Sequence, residues 1–152
     1  MYRIHQVKLS EAVYDFVNGP EGGHTKTAEK FPEYNTHMEV MHRGSKGYTP
    51  EMFAHYTQVC VVKDFDGSTL EHVFKILNGY YFDEDTDTDE WFDAFVYGFK
   101  LRTITRKNGE VVTYRDMHSL SVGDIVEDTS TGEFHMVDGM GFKQIETKSL
   151  EV

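Results

Sequence analysis

Four aspartates alternate with other residues at Asp83, Asp85, Asp87 and Asp89, a spacing that offers carboxylates at every second position as calcium-binding loops do. Counted as an EF-hand loop from Asp83, however, the position that needs glycine for a sharp turn is Thr88, and the position of the bidentate glutamate is Ala94. The tract therefore reads as solvated charge and not as a calcium loop. His37, Glu39 and His42 are the next group of ligand types, but these two histidines straddle a helix, whereas ligands four apart would share one face. Neither set predicts a metal, and nothing predicts another cofactor. Cys60, the single cysteine, lies in Val59-Cys60-Val61-Val62, the setting of an inert core thiol. Gly44-Ser45-Lys46-Gly47, beside Arg43, has the residue types of a phosphate cradle without the strand and helix that frame one, so it reads as a turn. No nucleophile motif such as Gly-x-Ser-x-Gly occurs, no catalytic residue is assigned, and the chain is read as a binding protein, not an enzyme.

The acidic tract has a second reading as a docking surface. Residues 83–93 hold seven carboxylates and no base, which leaves 19 acidic against 15 basic residues elsewhere, so seven of the eleven net negative charges are concentrated there. Disordered acidic tails are poor in aromatics, whereas this tract is bordered by Tyr80, Tyr81, Phe82, Trp91 and Phe92. Asp83, Glu84, Asp85, Asp87, Asp89 and Glu90 would meet a basic surface, with Tyr80, Tyr81 and Trp91 as the anchors that carry interface energy. A net charge of −11 opposes direct binding to nucleic acid, but spaced carboxylates suit the Arg and Lys sites of a nucleic-acid-binding protein.

The elements that hold these residues follow from periodicity. Tyr2 to Leu9 alternates apolar and polar residues and predicts a strand; Ser10 then caps a short helix, Glu11 to Val17, stopped by Asn18-Gly19-Pro20. Residues 22–45 predict a long loop with one helical stretch around Tyr34 to His42. Met52 to Lys63 predicts a strand closed by the turn at residues 64–67. Ser68 or Thr69 then caps a helix with Leu70, Val73, Phe74 and Ile76 or Leu77 at helical spacing, ended by Asn78-Gly79. The acidic tract is expected as an exposed loop turning helical near Trp91. Asn108-Gly109 predicts a type I′ hairpin between Lys100 to Arg106 and Glu110 to Asp116. In that register Arg102 faces Arg115, and the like charges of Lys100, Arg102, Arg106 and Arg115 form a candidate anion-binding or self-docking set. A final strand pair, residues 124–127 and 134–137, is extended by residues 142–145. The whole predicts an α+β domain over residues 1–152 with a soft boundary near Tyr97-Gly98. Its architecture is an antiparallel sheet or small curled barrel with two or three short helices on one side.

The segment from Arg115 through Ser119-Leu120-Ser121-Val122-Gly123-Asp124 into Phe134-His135-Met136-Val137 and Gly141-Phe142 resembles the C-terminal ending of many small bacteriophage-encoded proteins. In those, a Ser-x-Ser-Val-Gly-Asp turn leads into a strand pair that finishes in Gly-Phe; residues 56–78 also resemble their middle. The resemblance implies a phage-type accessory protein and names no activity. The expected partner is then a host protein with a basic surface, bound so as to inhibit or redirect it. The alternative is a self-assembling structural or assembly protein of a virion, with a homodimer as its simplest form. The Ser-Val-Gly-Asp turn itself reads as structural, with Gly123 supplying an unusual backbone angle and Ser121 and Asp124 bonding local amides. No apolar run approaches the roughly 20 residues of a membrane span and Met-Tyr-Arg-Ile-His is no signal peptide, so a cytoplasmic location in the host cell is expected.

Overall fold

The structure is a computed structural model that describes residues 1–65, 67–79 and 88–147. Its elements in chain order are β1 (Tyr2–Val7), α1 (Glu11–Val17), α2 (His24–Lys30), α3 (Pro32–Arg43), β2 (Tyr56–Val62), α4 (Leu70–Asn78), α5 (Thr88–Phe95), β3 (Val96–Tyr97), β4 (Leu101–Thr105), β5 (Val111–Arg115), β6 (Ile125–Asp128), β7 (Glu133–Asp138) and β8 (Gly141–Ile145). Six strands form an antiparallel sheet in the order β3-β2-β1-β6-β7-β8, while β4 and β5 form a separate two-stranded sheet. The fold is α+β, as expected, with an open sheet and not a closed barrel. Strands from either side of Tyr97-Gly98 share it, because β1 pairs with β2 on one edge and with β6 on the other.

Adjacent strand residues point to opposite faces of a sheet, and both faces here are covered. Val126 and Val137 join the cluster built on Val73, Ile76 and Leu77 of α4 and Phe92 of α5. Their neighbours Ile125 and Met136 pack with Val40 of α3, flanked by Met52, Phe53 and Phe134. The expected placement of helices on one side describes α4 and α5; α3 covers the second face. α4 forms where its signals lie: Thr69 and His72 complete a capping box, Val73, Ile76 and Leu77 are buried one helical turn apart, and Gly79 closes the helix at φ 69°. Cys60 is fully buried and burial raises its thiol to about 12, as an inert core residue requires.

Three expectations need correction. Residues 22–45 are not mainly loop, since α2 and α3 occupy most of them. Pro32 begins α3 instead of interrupting it, because the first helical position needs no N–H donor. α2 carries no apolar stripe and buries Thr27 alone, so periodicity had nothing to register. The strand expected from Met52 begins at Tyr56, and Pro50–His55 forms a 3-10 turn whose Phe53 ring lies edge-on to His5 at 5.2 Å. Thirdly, the hairpin turn has three residues, not two. Arg106 N–H donates to Glu110 O (2.8 Å), Gly109 N–H to Arg106 O (2.9 Å), and Glu110 N–H to the Asn108 side chain (2.9 Å). A type I′ turn needs positive φ at two residues, whereas among the described residues only glycines have it, here Gly109 at 85°.

Candidate functional site

Tyr80, Tyr81, Asp83, Glu84, Asp85 and Asp87 lie outside the described residues. Asp89, Glu90 and Trp91 fall within α5, as the expected helical turn near Trp91 requires, and Glu90 is exposed. Phe92 at the next position is buried, so α5 is a fixed element at the C-terminal end of the tract.

The hairpin is the most exposed regular structure described. Ile104 and Val112 are half-buried, but Leu101 is 65%, Val111 62% and Tyr114 42% exposed, so apolar side chains meet water on both of its faces. Five basic residues and two acidic ones lie between Lys100 and Asp116, a net +3 in a chain of −11. The three-residue turn moves the register by one, placing Arg102 opposite Tyr114 and Arg115 opposite Leu101. The predicted opposition of Arg102 and Arg115 does not occur, and with it goes the reason for an anion between them. The two arginines leave by different faces. Arg115 lays its guanidinium 3.6 Å from the centroid of the Phe92 ring in α5. Arg102 reaches Glu11 of α1 at 3.5 Å, and Arg106 reaches Glu110 at 3.6 Å. Lys8 and Asp116 close the base of the arm with an ion pair. Lys100 is exposed, and its carbonyl accepts from the Asp116 amide at 2.7 Å. The set is therefore not one cationic patch but four residues distributed around an arm.

A second site surrounds the loop between β5 and β6 and was not foreseen as a site. Gln6, fully buried in β1, clamps this loop: its Nε2 donates to His118 O at 2.9 Å and its Oε1 accepts from His118 N at 3.2 Å. The same Nε2 donates to Asp124 Oδ2 at 3.1 Å, as does the Ser121 amide at 2.9 Å. The Ser121 hydroxyl and His118 Nδ1 lie 3.5 and 3.6 Å from that oxygen. Oδ1 makes no hydrogen bond among the described residues. Burial pushes the Asp124 carboxyl up to about 7, while His118, the Ser121 amide and Gln6 pull the other way. Gly123 stands at φ 95°, and a side chain there would meet Val40 Cγ2 at 2.8 Å, so the turn is pressed against α3. Tyr56 donates its hydroxyl to Gly123 O at 2.5 Å. The Ser-Val-Gly-Asp turn is thus structural in the way its sequence suggests, and it also forms one wall of a cavity of about 430 Å³.

His37 of α3 lines the same cavity. Burial holds its imidazole below the ordinary value, and His118 and His42 act in the same direction. Glu39 instead faces Arg43 at 3.2 Å and His42 is exposed. No group of three or more His, Cys, Asp or Glu among the described residues is placed to hold a metal ion. Gly44–Gly47 is a short 3-10 turn whose Ser45 hydroxyl is taken by Asp138 at 2.5 Å. The sequence signal for the cavity was slight: a glutamine inside an apolar strand and an aspartate directly before Ile125 and Val126. No family model, curated protein or solved structure matches the chain.

Proposed function

We propose that this chain is a small binding protein, a phage-type accessory protein that docks on a host protein with a basic surface and inhibits or redirects it. The observation that carries the reading is the Arg115 contact with Phe92, which holds the exposed hairpin against the helix into which the acidic tract runs. Glu90, exposed on that helix, and Leu101, Val111 and Tyr114, exposed on the arm, then lie on elements in contact with each other. Apolar anchors bordered by charge are what a protein partner reads, with charge steering the encounter and the anchors holding the complex. The test is capture from a bacterial lysate on immobilised chain and on a variant with Asp85→Asn, Asp87→Asn, Asp89→Asn and Glu90→Gln, followed by titration of the purified captured protein. A target bound by the wild type alone, with affinity falling as salt rises, supports the reading. Equal affinity for both chains removes the tract from it.

The charge separation favours one second reading, self-assembly in a virion or its precursor. The hairpin's net positive charge and the tract's seven carboxylates are complementary between copies. Salt-sensitive oligomers in sedimentation velocity, abolished by the same four substitutions, would move this reading ahead.

A further inference from the structure

We propose that the cavity beside Asp124 binds a compact organic cation, an amine or amidine on a small apolar body, whose N–H donates to Asp124 Oδ1. The site is independent of the hairpin and the acidic tract. A carboxyl that served the turn alone would be explained by Oδ2, since the Gln6 and Ser121 donors converge on that one oxygen. Oδ1 is left over. It belongs to a side chain only 7% exposed that lines the cavity, and it is not among the fully buried unpartnered acceptors of the described residues, so it stays open to a donor held in the cavity.

The surroundings select the sign and shape of the occupant. Lysine and arginine are absent from the described lining, so Asp124 is its single carboxylate and no fixed cation opposes it. Val7, Val40, Met41 and Val122 make much of the wall apolar, and the volume lies within the range of small-molecule sites. His118 Nδ1 donates to the Ser119 carbonyl at 2.7 Å, because a carbonyl cannot donate. A cation would meet one charged acceptor at the edge of an apolar hollow. An anion would meet Asp124 unscreened. The geometry is also prepared in advance: Gln6 fixes the His118 backbone and Gly123 is wedged on Val40, so little ordering remains to be done on binding.

The probe is benzamidine, an amidinium on a ring, compared with benzyl alcohol as an uncharged partner of similar size. Titration calorimetry on the full chain at pH 8 should show benzamidine binding at least about tenfold more tightly than benzyl alcohol, with Asp124→Asn removing most of that preference. Because Asp124→Asn also disturbs the turn, amide shifts of the wild-type chain supply a second readout. Benzamidine should move His37, Val40, Ser121 and Asp124 while leaving the hairpin amides unchanged. Equal binding of the two probes, unchanged affinity in Asp124→Asn, or shifts that avoid these four residues would each overturn the proposal.

Discussion

β1 and the β4–β5 arm are built from similar alternations of apolar and polar residues, yet their burial is opposite. In β1 two of the three polar residues, His5 and Gln6, go inside. Gln6 is fully buried and spent on the His118 backbone and Asp124, while His5 is buried against Glu127 at 3.0 Å. In the hairpin the apolar residues go outside, with Leu101 and Val111 more than half exposed. The cause is position: β1 has a strand on either edge and packing on both faces, whereas β4 and β5 have only each other among the described strands. Polar groups retained in the first region hold the fold together. Apolar groups displayed in the second do little for this chain alone, which is why the proposed binding surface includes the arm.

That contrast is tested most severely at its buried end. Ile4→Ala removes a fully buried side chain at the centre of the sheet and should cost about 2–5 kcal/mol in urea unfolding followed by circular dichroism. A cost near zero would mean that β1 is not the centre of the core. Gly123→Ala combines a positive φ with a contact against Val40 and should cost about 1–3 kcal/mol by the same measurement.

Asp124 connects stability to pH. Its folded carboxyl titrates well above an unfolded aspartate, so between those two values the folded state binds the extra proton. Its contribution is fully present below the unfolded value and is lost as pH rises through about 7. Wild-type stability relative to Asp124→Asn should therefore fall from pH 5 to pH 8, with a slope of at most about 1.4 kcal/mol per pH unit. His118 lies 3.6 Å from that carboxylate, and His37 lines the same cavity. The lowered His37 gives an opposite slope, since its stabilisation is present at high pH and fades as pH falls, and the difference between the two chains removes this shared part. A difference that does not change with pH would show that Asp124 is ionised throughout. The smallest effect belongs to the arm: Leu101→Ser with Val111→Thr should change stability by no more than about 0.5 kcal/mol, measured by urea unfolding, while weakening capture of the partner. A large loss of stability would instead place the arm within the fold.

Much of the frame was legible because its signals are local. The apolar spacing of α4, its Thr69 cap and its Gly79 stop, and the turns between β6, β7 and β8 all act over a few residues. α2 was not legible, for it has no apolar stripe and stands by its contacts with α1 and α3. The hairpin was found but its register was not, because Asn-Gly suits both a two-residue turn and a three-residue turn with glycine in the left-handed position.

The sequence by itself determined that this is an acidic α+β chain with charge gathered at residues 83–93, where α4 is capped and stopped, and where the β6–β7 pair reverses, since composition and short-range sterics are properties of neighbouring residues. Which face of β6 meets α3, which side chains the arm exposes, and the meeting of Gln6, His37, His118 and Asp124 around one cavity came from tertiary closure. Gln6 and His118 are 112 residues apart, and no periodicity reaches that far. Only the pairing of β1 with β6 and the wedging of Gly123 on Val40 bring those side chains within bonding distance.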